Sequence, residues 1–252
     1  RAMGEQALAL AMAVDYHSVG TVEFIADAEG RFYFLEMNTR LQVEHPVTEM
    51  VTGIDLVQWQ LRLAQGDRLT LDADRMLEPN GHAIECRVYA EDPEAGFMPC
   101  PGVISSLRVP GGGGVRVDSG VDRGFEVPVY YDSMVSKVIA WAPDRVLAIA
   151  RMKRALAEYE IGGVKTIIPM LRWILNHEAF VGGQFDTAFL EGALAAREGV
   201  PFVAPPVNAE EVAMLAVAIR AAIGSDVLQT GVRCDGSDAG AWKRAARREG
   251  LR

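Results

Sequence analysis

The chain has 252 residues, half of them hydrophobic, which is enough for one or two globular domains. Its 25 lysine and arginine residues against 34 aspartate and glutamate residues give a net charge of −9, which argues against a broad surface for nucleic acid or anionic membranes. No window approaches the ~20 apolar residues of a membrane span, no signal peptide opens the sequence, and the three cysteines lack CxxC spacing, so we expect a cytoplasmic protein with reduced thiols.

The first predicted elements are a helix and a β-hairpin. Apolar residues recur with spacings of three and four between residues 3 and 14, which predicts an amphipathic helix. Residues 21–26 and 32–37 are rich in aromatic and β-branched side chains. They flank the turn-like segment 27–30, and this pattern predicts two antiparallel strands.

The predicted hairpin brings two carboxylates together. If Asp27 pairs with Phe32 across a loop of four residues, Glu23 lies directly opposite Glu36 on the same face. Two carboxylates so placed repel each other unless one is protonated or a cation sits between them. Asn38 adds a third oxygen, and this set of hard ligands suits magnesium or manganese better than zinc. A metal site and an ordinary solvated hairpin face both fit the pattern.

The segment that follows alternates charged and amide side chains. Every second position carries such a group, namely Glu36, Asn38, Arg40, Gln42 and Glu44. In a strand, period-2 spacing points all of them to one face. That face has the composition of an active-site wall, although a simple ion pair between Arg40 and Glu44 is a plainer explanation for two of its members.

A helix is predicted after this polar segment. Asp55 is expected to cap it, and Gly66 lies just past its end. Its expected buried stripe consists of Ile54, Val57, Leu61 and Ala64. We place the first domain boundary near Gly66, so that residues 1–66 form the first unit.

Residues 67–192 mix short strands with helices and predict an α+β domain. Strands separated by glycine and proline are expected at 83–89, 102–109, 114–118 and 135–140. Asp144 begins a helix that Gly162-Gly163 closes, and Thr166 begins another that has Pro169 in its first turn.

Residues 193–252 predict a linker and a helical tail. The proline-rich segment 200–206 reads as an extended linker. Asn208 gives a capping-box-like start to an alanine-rich helix, and residues 231–240 are expected to form a mobile loop. The apolar residues of that helix include Val212, Leu215, Ala216, Ile219 and Ile223.

Four stretches of sequence carry a family resemblance, namely 34–56, 81–93, 110–118 and 130–134. The first contains Phe-Leu-Glu-Met-Asn-Thr-Arg-Leu-Gln-Val-Glu-His-Pro. Together they resemble biotin carboxylase, the ATP-grasp component of biotin-dependent acyl-CoA carboxylases, over residues 1–195. The resemblance implies the C-terminal part of an ATP-grasp domain, then a biotin carboxylase C-terminal domain with an antiparallel sheet and helices. The family's glycine-rich flap and ATP-binding lysines have no counterpart here, so we expect a fragment that is inactive alone.

The resemblance implies an ATP-dependent ligase and gives roles to the polar residues of the hairpin. Biotin carboxylase makes carboxyphosphate from ATP and bicarbonate and then carboxylates biotin. Glu23 and Glu36 are expected to contact ATP through bound metal, and Asn38 to complete the site for Mg²⁺ or Mn²⁺. Arg40 is expected to grip bicarbonate through its planar fork.

The remaining roles follow from the same resemblance. Gln42 and the backbone N–H of Val43 are expected to complete the bicarbonate site. Glu44 is expected to accept the bicarbonate proton as general base. Arg116 is expected to stabilise the enolate-like oxyanion of biotin.

Partners and competing functions also follow from the resemblance. The expected partners are a biotin carboxyl carrier protein and carboxyltransferase subunits, and the full-length form is expected to be a homo-oligomer. No carrier motif follows residue 195, which favours the separate subunit of acetyl-CoA carboxylase in fatty acid synthesis. Another ATP-grasp ligase, carbamoyl-phosphate synthetase, shares the glutamate-methionine-asparagine-x-arginine core but not residues 42–46. A non-catalytic assembly or docking module is the other alternative.

Overall fold

The computed structural model describes residues 1–72, 76, 78–202 and 208–223, and it has the mixed helix and antiparallel-sheet architecture that the sequence predicts. Its first part contains α1 (Ala2–Ala13), β1 (Thr21–Ala26), β2 (Phe32–Asn38), α2 (His45–Thr52) and α3 (Leu56–Ala64). No residue of α1 is buried, and Leu8 and Met12 are 62% and 73% exposed. The expected amphipathic burial of α1 is wrong because its apolar residues surround the helix instead of forming one stripe.

The β1–β2 hairpin is confirmed, and Glu23 pairs with Glu36 as predicted. The pairing near the turn differs by one residue, because Phe32 pairs with the residue before Asp27. The Asp27 backbone N–H donates to the Arg31 carbonyl oxygen at 2.9 Å, so the turn closes between Asp27 and Arg31 instead of between Asp27 and Phe32. A β-bulge beside Glu23 then compensates for the shift, so the predicted carboxylate pair forms in a different register from the one expected.

Strand β2 ends at Asn38, so the expected strand through Glu44 is wrong. Residues 39–44 form a loop and a turn, and the unpredicted helix α2 follows directly. Pro46 lies in its first turn, where proline is favoured because that position needs no backbone N–H. The same residue is a poor member of a strand ladder, because it has no N–H to donate.

Helix α3 begins as predicted but buries a different side chain. The Asp55 carboxylate accepts the Gln58 backbone N–H at 2.7 Å, and Gly66 lies just beyond the end with φ +94°. Trp59 is the buried residue of this helix, whereas Leu61 of the predicted stripe is 63% exposed. The largest apolar side chain therefore decides which face of the helix packs inward.

The second part of the chain contains most of the strands. They are β3 (His82–Tyr89), β4 (Glu91–Asp92), β5 (Met98–Pro99), β6 (Gly102–Val103), β7 (Ser106–Arg108), β8 (Val115–Ser119), β9 (Glu126–Val127), β10 (Met134–Ala142) and β11 (Glu160–Gly162). The central sheet has the order β3–β10–β8, and both pairs are antiparallel. The single strand expected at 102–109 is instead two short strands, because Ile104 donates its N–H to Phe125 whereas Ser105 donates to Gly162.

The two faces of the central sheet have different partners. Helix α4 (Arg145–Glu158) packs on one face and forms the main apolar core with Val88, Val138 and Ala140. Because side chains alternate along β10, Lys137 and Ile139 point to the opposite face, where α2 contacts β3 and β10. The strand that supplies the core therefore also supplies the polar face under α2.

The helices of the second part begin close to the predicted positions. Asp144 caps α4, as predicted, by accepting the Leu147 N–H at 2.8 Å. Gly162 and Gly163 do not close this helix, because β11 intervenes. Helix α5 (Ile168–Ile174) has Pro169 in its first turn, as predicted, and begins two residues after Thr166.

The last helices are short, except for the tail helix. They are α6 (Glu178–Val181), α7 (Phe189–Ala196) and α8 (Ala209–Ile223). Residues 1–202 form one compact unit, and a second unit begins at residue 203. The alanine-rich helix expected after Asn208 is α8, and its Val212 and Leu215 are 54% and 61% exposed. Residues 203–207 and the predicted loop at 231–240 lie outside the described residues. Of the helices described, none is long and apolar enough to cross a membrane.

Candidate active site

The paired carboxylates of the hairpin share one amide group. The Asn38 side-chain nitrogen donates to Glu23 Oε1 at 2.7 Å and to Glu36 Oε1 at 3.4 Å. Gln42 Nε2 lies 3.4 Å from the same oxygen of Glu23. The amide hydrogens thus offset the repulsion between the carboxylates that the register enforces.

This group of oxygen donors fits a hard divalent cation. Two carboxylates and an amide are ligands of the kind that Mg²⁺ and Mn²⁺ bind, with further positions left for phosphate or water. For Asn38 to be a ligand of a bound cation, its amide has to rotate so that the oxygen faces the cation. The amide nitrogen, which now donates to both carboxylates, is a hydrogen-bond donor and not a ligand. Within the described ranges, no cluster of three His, Cys, Asp or Glu side chains forms a metal site. The hairpin pair therefore needs Asn38 or an external ligand to complete a coordination shell.

The loop that follows β2 carries the polar side chains that were predicted to lie on one face of a strand through Glu44. Arg40 Nη1 donates to the Gln42 side-chain oxygen and, at 3.3 Å, to the Leu41 carbonyl oxygen. Glu44 does not pair with Arg40 but accepts from Arg87 Nη2 at 2.7 Å. The plainer ion-pair explanation for Arg40 and Glu44 is therefore wrong.

A cavity of about 410 Å³ lies at this loop. Its polar lining includes Arg40, Gln42, Glu44 and His45. His45 Nδ1 contacts the Gln42 carbonyl oxygen at 2.8 Å, which fixes the turn leading into α2. An arginine and a carboxylate on one small cavity provide both a site for an anion and an acceptor for its proton.

Arg116 lies on β8 and is held by two carboxylates. Its Nη1 donates to Glu49 at 2.6 Å, and its Nε and Nη2 donate to Asp118 at 2.7 and 3.0 Å. Hydrogen bonding to Asp118, with Glu49, raises the pKa of Arg116 despite burial, so the guanidinium stays charged. Burial raises the pKa of Asp118, but the hydrogen bonds and charges of Arg116 and Lys137 outweigh it and hold that pKa below its usual range.

Arg116 borders a second cavity, of about 530 Å³, together with Glu49 and residues between α2 and α3. A guanidinium has five N–H groups. The contacts with Glu49 and Asp118 use one N–H on each nitrogen, which leaves one on each terminal nitrogen for a ligand. Arg116 and Arg40 line different cavities, so the structure does not bring these two predicted site residues into one pocket.

Two residues of the central sheet that are not among the predicted site residues, Lys137 and Arg87, contact those residues. Lys137 Nζ donates to the Val43 carbonyl oxygen at 2.9 Å and lies 3.5 Å from Asp118. Arg87 contacts Glu44, as described above. Alternation along β3 marks Glu85 and Arg87 as sharing a face, but the Glu44 partner of Arg87 lies 43 residues away and leaves no local signal.

Glu85 is the least satisfied polar group near the site. Its carboxylate is 5% exposed, and both of its oxygens lack a hydrogen-bond partner, although Arg87 Nε lies 3.6 Å away. Burial raises the pKa of the Glu85 carboxyl, and the nearby charges of Lys137 and Arg87 only partly oppose that shift. A neutral side chain of the same shape should therefore be tolerated better at neutral pH.

We predict that Glu85→Gln increases the free energy of unfolding at neutral pH. Because the folded-state pKa of Glu85 is raised, its stabilising contribution is lost as the pH rises from the unfolded-state pKa of about 4.3 toward the folded-state value. The advantage of the variant should be smallest at the acidic end of this window and grow toward neutral pH. Urea unfolding across the window measures it, with Glu160→Gln, a 66% exposed carboxylate, as the matched control. A pH-independent difference would contradict the prediction.

Family models match the two parts of this site separately. Residues 1–72 match the carbamoyl-phosphate synthase L chain ATP-binding domain. Residues 85–192 match the biotin carboxylase C-terminal domain. The first match covers the carboxylate pair and the 39–44 loop, and the second covers Arg87, Arg116 and Lys137.

Curated relatives resemble the chain over most of its described length. A biotin carboxylase from Nostoc sp. is 51% identical over 189 residues, which is 75% of this chain and 42% of the relative. Biotin carboxylase 1 of Bacillus subtilis is 55% identical over 190 residues, again 75% of this chain and 42% of the relative. The chain therefore spans about two fifths of the length of these relatives.

A solved structure extends the likeness to three dimensions. The biotin carboxylase domain dimer of the Hydrogenobacter thermophilus 2-oxoglutarate carboxylase, in complex with MgADP, ADP and bicarbonate, matches with a TM-score of 0.70 and 51% identity. The match covers 72% of this chain and 40% of that structure.

Proposed function

Because this chain belongs to the biotin carboxylase family, we propose that it supplies the bicarbonate site, the general base and the metal ligands of an ATP-dependent biotin carboxylase. The observation that carries the proposal is the cavity that Arg40, Gln42 and Glu44 line together beside the paired carboxylates. The reaction joins bicarbonate to the γ-phosphoryl group of ATP as carboxyphosphate, and the carboxyl group then passes to biotin on a carrier protein.

Arg40 binds bicarbonate in this proposal. Its guanidinium is anchored on one side by Gln42 and the Leu41 carbonyl, so the fork is oriented before the anion arrives. A planar fork matches a small planar oxyanion better than the point charge of lysine. Gln42 and the Val43 N–H complete the same site.

Glu44 accepts the bicarbonate proton. Its ion pair with Arg87 holds the carboxylate in one orientation beside the cavity. A bicarbonate oxygen attacks the γ-phosphorus of ATP and ADP leaves, and the bicarbonate proton passes to Glu44 as carboxyphosphate forms.

Glu23, Glu36 and Asn38 hold Mg²⁺ or Mn²⁺ in this proposal, and a bound metal neutralises charge on the ATP phosphates. The support is the oxygen-donor set and the contact of both carboxylates with one amide. The arrangement is compatible with a cation once that amide rotates.

Arg116 acts on biotin rather than on bicarbonate. Glu49 and Asp118 orient its guanidinium beside the second cavity, and the two N–H groups that these carboxylates leave unused are the donors for an oxyanion. Arg116 and Arg40 line different cavities, which supports assigning Arg40 to the formation of carboxyphosphate and Arg116 to the carboxylation of biotin.

We propose the partners on the same grounds, with a biotin carboxyl carrier protein and carboxyltransferase subunits acting in the cytoplasm, and a homo-oligomer in the full-length form. Membership of an acetyl-CoA carboxylase is the finer proposal. The domain division at residues 66 and 192 also stays a prediction.

A non-catalytic docking role is the second candidate, and the exposed apolar side chains favour it. Leu8 and Met12 of α1 are 62% and 73% exposed, and Tyr33 and Leu35 of the hairpin are 60% and 51% exposed. Single exposed apolar residues are ordinary, but a cluster of them marks a surface for another chain or domain.

We predict that the 252-residue chain alone shows no bicarbonate-dependent ATP cleavage, because it spans only about two fifths of the length of its relatives. The chain joined to the N-terminal part of the Bacillus subtilis relative, called here the completed enzyme, should release ADP only when bicarbonate is present and should form carboxybiotin. Coupled ADP detection and ¹⁴C-bicarbonate incorporation measure the two products. ADP release by the isolated chain would show that the nucleotide site is misplaced. A folded but inactive completed enzyme would favour the docking role.

A further inference from the structure

One face of the central sheet carries an ordered array of charges. Register pairs Lys137 of β10 with Arg87 on one side and Asp118 on the other. In the next row of the same face, Ile139 pairs with Glu85 and with Arg116. Because side chains two residues apart share a face, the six positions form two adjacent rows of three. Only one of the six, Ile139, is apolar.

This charged face is bound to the 39–44 loop and α2 by three contacts. Arg87 contacts the Glu44 carboxylate at 2.7 Å, Lys137 contacts the Val43 carbonyl oxygen at 2.9 Å, and Arg116 contacts Glu49 at 2.6 Å. The contacts of Arg87, Arg116 and Lys137 join positions that are 43, 67 and 94 residues apart in sequence. The loop that carries the proposed base therefore rests on a rigid sheet.

Lys137 is the central and most buried member of the three. Its side chain is 12% exposed, against 38% for Arg87 and 35% for Arg116. Its ammonium group joins two groups of different function, the Val43 carbonyl in the loop and the Asp118 carboxylate that holds Arg116. The Val43 carbonyl belongs to the peptide unit that links Val43 to Glu44, so its hydrogen bond orients the backbone of the base.

We infer that Lys137 is a positioning residue, which fixes the Val43–Glu44 peptide for bicarbonate and at the same time holds Asp118 against Arg116. The inference deepens the proposed function and rests on it for the chemistry, but the positioning itself is a property of this chain. The ammonium group of Lys137 therefore fixes the 39–44 loop relative to Arg116, although Arg40 of that loop and Arg116 line different cavities.

Hydrogen exchange of the 252-residue chain tests the positioning without any activity. In Lys137→Met, the amides of His45 and Val47, which donate to the Gln42 and Glu44 carbonyl oxygens on either side of this peptide, should exchange roughly tenfold faster, because one hydrogen bond from a charged donor is lost. Amides of β3 and α4 should keep their rates. Lys153→Met makes the same change of residue type on α4, the helix on the opposite face of the sheet, and should leave exchange at His45 and Val47 unchanged. Unchanged exchange at His45 and Val47 in Lys137→Met would overturn the inference.

Kinetics of the completed enzyme test what the positioning does. Lys137→Met should raise the KM for bicarbonate roughly tenfold and leave the KM for MgATP within about twofold, again for one charge-assisted hydrogen bond. The yield of carboxybiotin per ADP should also fall, because Arg116 loses its alignment. A lower kcat with the KM values for bicarbonate and MgATP both unchanged would indicate a structural role only and would overturn the inference.

A second variant covers the case in which Lys137→Met does not fold. Lys137→Gln keeps an N–H donor for the Val43 carbonyl but removes the charge beside Asp118. Its exchange at His45 and Val47 should stay closer to the wild-type rate than that of the methionine variant, and its yield of carboxybiotin per ADP should still fall. A Lys137→Gln variant that matches wild type in both measurements would contradict the coupling. If wild-type completed enzyme lacks bicarbonate-dependent activity, the proposed function fails, and the exchange measurement still decides the positioning.

Discussion

Arg40→Ala is expected to lower ADP release and carboxybiotin formation by the completed enzyme together, by ~10²-fold, the usual effect of removing one preorganised cationic donor worth about 3 kcal/mol. The reason is the order of events. Arg40 lines the cavity with Glu44 and meets bicarbonate before phosphoryl transfer, so neither product forms without it. Both products are followed in the same reaction at saturating MgATP and varied bicarbonate.

Two matched variants separate the role of Arg40 from general effects of an arginine loss. Arg40→Lys keeps the charge but not the planar fork and should recover only part of the activity. Arg31→Ala removes a 67% exposed arginine from the turn of the same hairpin and should leave both products unchanged. A variant of Arg40 that still cleaves ATP in response to bicarbonate, yet fails to form carboxybiotin, would assign Arg40 to the later step.

Arg116→Ala is expected to lower carboxybiotin by ~10²-fold, the effect typical of one lost oxyanion donor. Bicarbonate-dependent ATP cleavage in the absence of biotin should change little, because carboxyphosphate forms at the Arg40 cavity and Arg116 borders the other one. The ratio of the two rates, measured with and without biotin, is the decisive quantity.

The controls for Arg116 have to account for its buried partner. Alanine leaves the buried Glu49 carboxylate without its guanidinium, which destabilises the fold, so unfolding is measured in parallel and rates are compared well below the Tm. Arg116→Lys keeps a cation for Glu49 and should restore stability more than carboxybiotin formation. Arg108→Ala removes a 68% exposed arginine and should be neutral. Equal losses of both products in Arg116→Ala would exclude a role confined to biotin.

Local chemistry allowed much of the fold to be predicted from sequence. Asp55 and Asp144 each accept a backbone N–H three residues ahead, and Pro169 lies in a first helical turn, because caps and proline act within one turn of chain. The hairpin and its Glu23–Glu36 pair follow from short-range alternation and a nearby turn. Each of these features depends on residues close together in sequence.

The candidate site was only partly predictable for the same reason. The residue types at positions 36–44 show which carboxylate, amide and guanidinium groups are available there. The resemblance to a family assigns roles to these groups. The sequence did not determine their geometry, because the expected strand ends at Asn38 and Pro46 begins a helix instead. A periodic polar pattern predicts a common face only as long as the strand itself continues.

The partners of the site residues depend on how the elements pack in three dimensions. Glu44 contacts Arg87, the Val43 carbonyl contacts Lys137, and Glu49 contacts Arg116. These contacts join the loop to a sheet whose strands are paired far apart in sequence, so no local pattern encodes them. The physical reason is that each polar group binds the complementary group that the packing of α2 on the sheet brings within reach, and that packing is a property of the whole compact unit.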